Sequence, residues 1–209
     1  MQTCNGVDFM VDLETLGTHH TAPIISIGAV LFDPRAHDTF DGLYARSFYV
    51  GCDIDDAVNV CGPAEGSTIK WWFAQSDAAI KRIVQGENAK MREALNLLWR
   101  YSSTRDNRTP ENLRGLPIPD KIWAKDPDFD CRILQNACEK SGVIYPFHFA
   151  KGRSVRTAQD LAYPEGDLPK FKVGVEHDAR DDAINQALMV QACYRNLSMA
   201  YEPKLEYSK

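Results

Sequence analysis

The sequence predicts an α/β domain built on one mixed β-sheet. Two observations lead to this fold class: three short apolar segments separated by turn residues begin the chain, and strand-like and helix-like segments alternate after residue 120. Short turns join antiparallel strands, whereas a strand reached through a helical crossover lies parallel to its neighbour. We therefore expect an antiparallel meander followed by parallel strands, flanked by helices. A length of 209 residues fits one domain, so residues 1–209 are assigned to a single domain.

Three segments form the predicted meander. Within residues 7–14 every second side chain is apolar and the positions between them hold three acids and Met10, the period of a strand with one wholly apolar face. Residues 24–32 are an almost continuous apolar run with β-branched residues, which is typical of a strand buried on both faces. Residues 43–50 form the third strand. Residues 51–66 contain glycines and a proline, and are expected to be a surface connection.

Helices and loops follow the meander. Helix-forming runs cover residues 77–85 and 87–101, and the second run places four apolar residues on one helix face: Met91, Ala94, Leu95 and Leu98. Residues 102–120 are rich in proline and polar side chains and predict a long exposed loop. The remaining predicted elements are a strand at 121–125, a helix at 129–141 ended by Gly142, a strand at 145–150, a short helix at 154–161, a loop at 162–176 and a final helix at about 178–199.

The composition indicates a globular protein. Hydrophobic residues make up 44% of the chain and charged residues 25%, which excludes a disordered or fibrous chain. The 24 Lys and Arg against 29 Asp and Glu give a formal net charge of -5, so the chain lacks the basic character of proteins that coat duplex nucleic acid. Taken alone, the charge argues against a nucleic-acid partner.

The cysteines and the apolar segments predict a cytoplasmic protein. The six cysteines are scattered, and no two of them have the spacing of a C-x-x-C pair. The chain begins without the basic segment and apolar run of a signal peptide, and no apolar stretch approaches the roughly 20 residues that span a bilayer. We expect reduced thiols, a cytoplasmic location, and a monomer or homodimer.

Asp12 and Glu14 are the first candidate site residues. Residues i and i+2 of a strand lie on the same face, so both carboxylates leave one rigid element in the same direction. Their mutual repulsion is tolerated either in solvent or around a divalent cation, and Mg²⁺ prefers such oxygen ligands. A solvated acidic face of the strand is the alternative interpretation.

Two later segments supply further candidates. Asp130 begins the predicted helix that follows the 121–125 strand. His177 stands just before the last predicted helix, and Asp182 lies in the first turns of that helix. Each residue is weak evidence by itself, because Asp is generally favoured near a helix N-terminus.

In this order the candidate residues carry a family resemblance. Asp12-Leu13-Glu14-Thr15, Phe129-Asp130 and His177-x-Ala-x-x-Asp182-Ala resemble the motifs of the DEDDh 3′-to-5′ exonucleases, DnaQ-like proteins with a ribonuclease H-like fold. Finer features are similar to the branch that contains phage exonuclease A and bacterial 3′-5′ exoribonuclease-like proteins: VDLETLGTHHTAPIISIGAVLF, STIKWWFAQSD and WAKDPDFDCRIL. The resemblance extends from residue 7 to about residue 197 and implies a ribonuclease H-like mixed sheet.

The resemblance also implies a role for each site residue. Two Mg²⁺ or Mn²⁺ ions would be held by four carboxylates: those of Asp12, Glu14, Asp130 and Asp182. His177 would take the proton from the attacking water, because an imidazole can accept a proton near neutral pH. Thr15 and Leu16 would lie against the terminal nucleotide, with Leu16 wedged beside the last base. Many relatives carry His-Asn where this chain has Lys125-Asp126, so the Asn that often contacts substrate is absent.

An aromatic pair and a basic cluster are further candidate substrate contacts. Trp72 and its neighbour Trp71 either stack on unpaired bases or pack in the core, since adjacent helical residues diverge by about 100°. Arg156 belongs to the densest basic cluster, with Lys151 and Arg153, and either meets the phosphate backbone or lies on a solvated charged face. Trp72 and Arg156 are retained as candidate substrate contacts.

The leading hypothesis is a two-metal 3′-5′ exonuclease that releases nucleoside 5′-monophosphates from single-stranded DNA. The likeness to phage exonuclease favours DNA, and RNA is the alternative because no reader of the 2′-hydroxyl is identifiable. A catalytically silent nucleic-acid- or protein-binding module on the same fold is a further alternative, which the presence of all four acids and the histidine opposes. The negative net charge fits an enzyme that grips only a chain end, with weak, metal-dependent and non-processive binding.

Overall fold

Five β-strands form one mixed sheet in the computed structural model of the protein, which describes residues 7–85, 88–103, 119 and 121–200. The strands are β1 (Asp8–Thr15), β2 (Ile24–Phe32), β3 (Phe48–Gly51), β4 (Ile122–Ala124) and β5 (Gly152–Ser154). Their order across the sheet is β3-β2-β1-β4-β5. The first three pair antiparallel, and β4 and β5 continue the sheet in parallel beside β1. The predicted meander and mixed sheet are confirmed.

Helices cover both faces of this sheet. They are α1 (Phe40–Tyr44), α2 (Ile54–Val60), α3 (Gly66–Trp72), α4 (Asp77–Val84), α5 (Met91–Ser103), α6 (Asp130–Ser141), α7 (Val155–Ala162) and α8 (Ala179–Ala200). Helix α8 packs against β1 and β2, with α7 beside it. Helix α5 contacts β2, and α6 contacts β1. Gly142 ends α6 at φ 64°, the left-handed conformation expected of a glycine cap.

The alternation of β1 divides the core into two layers. Phe9, Val11 and Leu13 are buried with the apolar faces of α5 and α6, including the predicted stripe of α5. Met10 points to the opposite face and is buried with the apolar residues of α8. Because alternate strand residues share a face, the acidic residues Asp12 and Glu14 continue the Met10 row on the α8 side. The sheet therefore presents both carboxylates towards the start of α8.

Gly28 allows α8 to approach the sheet closely. It lies opposite Asp12 in the β1–β2 register. A Cβ atom at Gly28 would lie 2.1 Å from the carbonyl carbon and oxygen of Ala179, the first residue of α8. Real Cβ atoms do not reach backbone atoms at such distances, so only glycine permits this contact. The contact places the first turn of α8 directly beside the acidic row.

Three predicted elements are wrong in place or type. Residues 43–50 do not form one strand, because Leu43 and Tyr44 belong to α1 and only residues from Phe48 onward belong to β3. Thr39 caps α1, and its side chain accepts a hydrogen bond from the Gly42 N–H at 3.1 Å. Burial of Leu43 in the α8 layer favours this local helix. Residues 51–66 include α2, which begins at the capping residue Asp53.

The predicted strand at 145–150 is also wrong. The fifth strand is the polar segment β5, which pairs with β4. Tyr145 and Phe147 instead pack as aromatic partners of Trp99, with ring centroids 5.9 and 6.1 Å away. The predicted loop at 102–120 lies largely outside the described residues, and so does residue 87 of the predicted 87–101 helix.

Two further observations concern the expected cellular setting. Cys52, Cys61, Cys131, Cys138 and Cys193 are free. Among the described residues, no helix is both long enough and apolar enough to pass through a bilayer.

Candidate active site

One cavity brings together all five predicted catalytic residues. Its volume is about 610 Å³, and its lining includes Asp12, Glu14, Asp130, His177 and Asp182. Two of the acids come from β1, one from the first residue of α6 and one from the first turn of α8. The histidine stands just before α8. Residues separated by up to 170 positions in sequence thus meet because β1 lies between β4 and the α8-covered strand β2.

Asp130 is fixed against β1. It is 4% exposed, and its Oδ1 accepts a hydrogen bond from the Leu13 backbone N–H at 3.2 Å. This bond joins the start of α6 to the strand between the two β1 acids. Burial raises the pKa of Asp130 to about 7, against the lowering effect of its backbone hydrogen bonds.

Asp12 is oriented from α8 by a residue that the sequence analysis missed. Gln186 donates a hydrogen bond from Nε2 to Asp12 Oδ1 at 2.6 Å. Gln186 lies four positions after Asp182, so both side chains are on the same face of α8. That i,i+4 spacing is the sequence feature that could have identified it.

Burial, and for the two β1 acids also mutual repulsion, raises the pKa values of the acidic residues in the cavity. Burial raises the pKa of Asp12 well above its ordinary value, and the charges of Asp130 and Asp182 raise it further. Burial and then the charge of Asp12 raise the pKa of Glu14 in the same way. Burial also raises the pKa of Asp182, although the charge of His177 lowers it. Carboxylates held this close favour either protons or bound cations.

The donor set fits hard divalent cations. One ligand atom each from Glu14, His177 and Asp182 lie within 4.8 Å of one another. Mg²⁺ and Mn²⁺ prefer carboxylate oxygens as ligands. Asp12 and Asp130 line the same cavity, so four carboxylates are available to ions placed there.

His177 has an unusual backbone conformation. Its φ is 65°, in the left-handed region that non-glycine residues seldom adopt. Its N–H donates to Asp182 Oδ2 at 3.2 Å, which ties the histidine to the acid on the first turn of α8. A strained residue persists only where its surroundings hold it, and such residues concentrate at functional sites.

A buried acid next to His177, also missed from the sequence, caps α8. Asp178 Oδ1 accepts hydrogen bonds from the N–H groups of Arg180 and Asp181 at 3.0 and 3.2 Å. Its Oδ2 lies 2.9 Å from Arg82 Nε on α4. Asp181 in turn accepts the Val175 N–H at 2.9 Å. The chain entering α8 is therefore fastened on both sides of His177. An Asp at the start of the predicted 178–199 helix is the feature that indicates such a cap.

The predicted substrate contacts differ in their placement. Arg156 is exposed and lines the cavity. Thr15 is buried, and its hydroxyl donates to the Gly17 carbonyl at 2.7 Å. Leu16 is half-buried and packs on the small apolar cluster that includes Trp72.

Trp72 packs in the core, which is one of its two predicted alternatives, so its place among the candidate substrate contacts needs correction. Trp72 is only 6% exposed, and its Nε1–H donates to the Thr15 carbonyl at 2.9 Å. Core packing and this hydrogen bond occupy the indole, so it is a support for the end of β1. Its neighbour Trp71 is 43% exposed and has its ring centroid 4.8 Å from that of His177.

A sheet of this topology with four converging carboxylates and an adjacent histidine defines a DEDDh-type nuclease. The model of the 3′-5′ exoribonuclease Rv2179c-like domain family matches residues 7–194, and the chain belongs to this family. The resemblance to the DEDDh 3′-5′ exonucleases is confirmed, and so is the prediction of a hydrolytic enzyme with 3′-5′ exonuclease activity.

Individual relatives agree with this assignment. The chain is 26% identical over 213 residues to the exodeoxyribonuclease of Enterobacteria phage T4, covering 90% of this chain and 89% of the relative. The nuclease domain of 3′hExo, a DEDDh family member bound to rAMP, matches with a TM-score of 0.57 at 13% identity, over 94% of this chain and 95% of that one. The zinc-bound E. coli ExoI–ssDNA complex matches with a TM-score of 0.56 at 15% identity, over 96% of this chain but 42% of that one, so this chain spans less than half of ExoI. The two structural likenesses establish the ribonuclease H-like fold.

Proposed function

We propose that the chain is a two-metal-ion 3′-5′ exonuclease that removes nucleoside 5′-monophosphates from single-stranded DNA. We also propose that residues 1–209 act as one exonuclease domain. The observation that carries the proposal is the meeting of Asp12, Glu14, Asp130, Asp182 and His177 in one cavity. A binding module would have no use for four buried or half-buried acids that repel one another.

Four carboxylates would hold the two ions: those of Asp12, Glu14, Asp130 and Asp182. Divalent cations bound there supply charge neutralisation, a more acidic water and stabilisation of the leaving oxygen. Gln186 supports metal binding by Asp12, because its hydrogen bond to Asp12 Oδ1 fixes the orientation of that carboxylate. Residues that orient metal ligands in this way typically change metal affinity or activity by about 10–100-fold when they are replaced.

His177 is the proposed general base. One of its ring nitrogens lies within 4.8 Å of a carboxylate oxygen of Glu14 and of one of Asp182. It accepts the proton as the water oxygen forms a bond to the phosphorus of the terminal nucleotide. The bond from that phosphorus to the 3′ oxygen of the preceding nucleotide breaks, and the leaving oxygen takes a proton from solvent water. The products are a nucleoside 5′-monophosphate and a shortened strand with a 3′-hydroxyl.

Leu16, Thr15 and Arg156 are the proposed substrate contacts. Leu16 follows the last residue of β1, close to the acidic row, and its half-exposed side chain suits contact with a terminal base. Thr15 is buried with its hydroxyl bonded to the Gly17 carbonyl, so the part proposed for it is to hold the strand end from which Leu16 projects. Arg156 brings a positive charge to the cavity that also holds the acids, which suits contact with a phosphate.

One observation supports DNA as the substrate, and another favours RNA instead. The exodeoxyribonuclease of phage T4 aligns with 90% of this chain, which favours DNA. The family description names an exoribonuclease activity, which favours single-stranded RNA as the second candidate substrate. Both substrates use the same mechanism at the phosphodiester bond.

A side-by-side digestion tests the substrate proposal. Single-stranded DNA, single-stranded RNA and duplexes with 3′ overhangs, all labelled at the 5′ end, are incubated with the protein and Mg²⁺ or Mn²⁺. We expect ladders that shorten from the 3′ end, with the DNA single strand degraded fastest. Faster degradation of RNA would show that single-stranded RNA, and not DNA, is the preferred substrate. Internal cleavage of the strands would refute the exonuclease mechanism.

The proposed cellular setting is the cytoplasm, as a monomer or homodimer. The free cysteines suit a reducing compartment. Light scattering of the purified protein distinguishes the two oligomeric states.

A further inference from the structure

Trp71 contacts the proposed general base directly. The Trp71 and His177 ring centroids are 4.8 Å apart with the ring planes at 76°, an edge-to-face arrangement. Trp72 reaches the same imidazole at 6.3 Å and 81°. In the described part of the chain, the rings that contact His177 are these two. Such pairs have a preferred geometry, so they hold one ring relative to the other.

The backbone of His177 leaves the imidazole dependent on such contacts. The connection between α7 and α8, residues 163–178, is fully described and contains no helix or strand. His177 lies near its end at φ 65°, and its N–H is held by Asp182. These interactions fix the backbone but not the side-chain torsions. A base must stand within hydrogen-bond reach of the water that it deprotonates, so the ring orientation decides its efficiency.

Helix α3 is anchored firmly enough to act as a support. At its N-terminus the Glu65 N–H donates to the Leu16 carbonyl at 2.7 Å, and the Glu65 carboxylate accepts the Thr18 N–H at 2.9 Å. At its C-terminus Trp72 donates to the Thr15 carbonyl. Both ends of the helix are thus fastened to the segment that follows the acidic strand. Trp71 is carried by this helix and touches His177 from a fixed position.

We infer that Trp71 is a positioning residue that holds the His177 imidazole in the orientation needed for proton transfer. The indole edge-to-face contact links the base to the same strand end that carries Asp12 and Glu14. The inference rests on the proposed role of His177 as general base. The competing role for a half-exposed tryptophan is stacking on a substrate base, and the two roles differ in their kinetics: a positioning residue changes kcat, whereas a stacking residue changes KM.

The test combines Trp71 variants with His177→Ala. Trp71→Leu removes the aromatic contact, Trp71→Met is a second non-aromatic replacement in case the first variant is unstable, and Trp71→Phe restores an aromatic ring. Phe73→Leu is the matched control, because Phe73 lies on the same segment and is 79% exposed. Thermal unfolding establishes that each variant is folded, and kcat and KM are measured on the best oligonucleotide substrate.

We expect Trp71→Leu and Trp71→Met to lower kcat by about tenfold with KM little changed. The reason is that an edge-to-face aromatic contact favours one orientation of the imidazole ring over the others by up to about tenfold. Trp71→Phe should recover most of the loss, and Phe73→Leu should match the wild type. In the His177→Ala background, Trp71→Leu should cause no further loss, because the residue acts through the histidine.

Two results would overturn the inference while leaving the proposed function intact. A raised KM at unchanged kcat would show that Trp71 binds substrate. An equal loss in the His177→Ala background would show that Trp71 acts independently of the base. Full activity of His177→Ala itself would instead refute the proposed base, and the inference with it.

Discussion

The substitution Gly28→Ala tests how the sheet positions the metal-binding acids. Gly28 lies on β2 opposite Asp12, and the first residues of α8 pass over it. An alanine Cβ would lie 2.1 Å from the carbonyl carbon and oxygen of Ala179 and 2.2 Å from the Arg180 nitrogen. All three atoms belong to the backbone, so no flexible side chain can yield. The start of α8 must move away from the sheet.

The size of this movement follows from the contact distances. Ordinary contact begins at 3.4 Å, so a 2.1 Å approach requires a retreat of about 1.3 Å. Asp182 and Gln186 move with α8 while Asp12 and Glu14 stay on β1. A misplacement of about 1 Å in a catalytic arrangement costs roughly 100-fold in rate, and overpacking costs about 1–3 kcal/mol of stability. We expect losses of that order in both quantities.

The assay measures exonuclease rate and the free energy of unfolding for Gly28→Ala beside the control Gly66→Ala. Gly66 begins α3, and a Cβ there meets no atom within 4 Å. The control should keep its activity and lose no stability, because alanine favours a helix. Wild-type activity and stability in Gly28→Ala would refute the argument that the close approach of α8 builds the site.

Three further predictions concern individual groups. His177→Ala should lower activity by about 100-fold or more while Mn²⁺ affinity, measured by calorimetry, changes little; undiminished activity would exclude His177 as the base. Gln186→Leu should cost about tenfold or more in metal affinity or activity because Asp12 loses its oriented hydrogen bond, and a metal titration that matches the wild type would contradict this. Metal-free protein should be more stable at about pH 5 than at about pH 8. Burial raises the pKa of Asp130 in the folded state from 3.8 to about 7, so the folded protein binds this proton more tightly than the unfolded chain does. The stability that the proton provides at low pH is lost as the pH rises through that interval. Mg²⁺ should therefore raise the unfolding midpoint more at the higher pH, and equal shifts at both pH values would speak against a raised carboxylate pKa.

Much of the site could be predicted from the sequence because its acids occur at fixed places within regular elements. The alternation of β1 puts Asp12 and Glu14 on one face, and the motif order names Asp130, His177 and Asp182. Local pattern and family resemblance are sufficient for residues whose role depends on element and position. The structure then adds that all five line one cavity.

The parts that sequence analysis missed depend on contacts between distant elements. Gln186 has a role only because α8 lies against β1, which Gly28 permits. Trp72 and Trp71 are adjacent and chemically identical, and only the Thr15 carbonyl and the apolar cluster around Trp72 decide which of them is buried.

The misplaced elements have a similar cause. The strand β5 has three polar or small residues and no apolar alternation, and it forms because β4 offers a free edge beside it. The helix α1 forms where Leu43 is buried by α8, although its sequence also suits a strand. Such tertiary contacts override a local pattern that is short or ambiguous.

The central claim is that the acids in the cavity carry a metal-dependent 3′-5′ exonucleolytic reaction. The most direct test follows a 5′-labelled single-stranded oligonucleotide over time with wild-type protein, Asp12→Asn and the control Asp167→Asn, each with and without Mg²⁺ or Mn²⁺. Asp167 is an exposed acid outside the cavity lining, so the control makes the same chemical change away from the site. We predict a ladder that shortens from the 3′ end with wild type and Asp167→Asn, only when metal is present, and no ladder with Asp12→Asn. Cleavage that survives Asp12→Asn, or that proceeds without divalent metal, would contradict the claim.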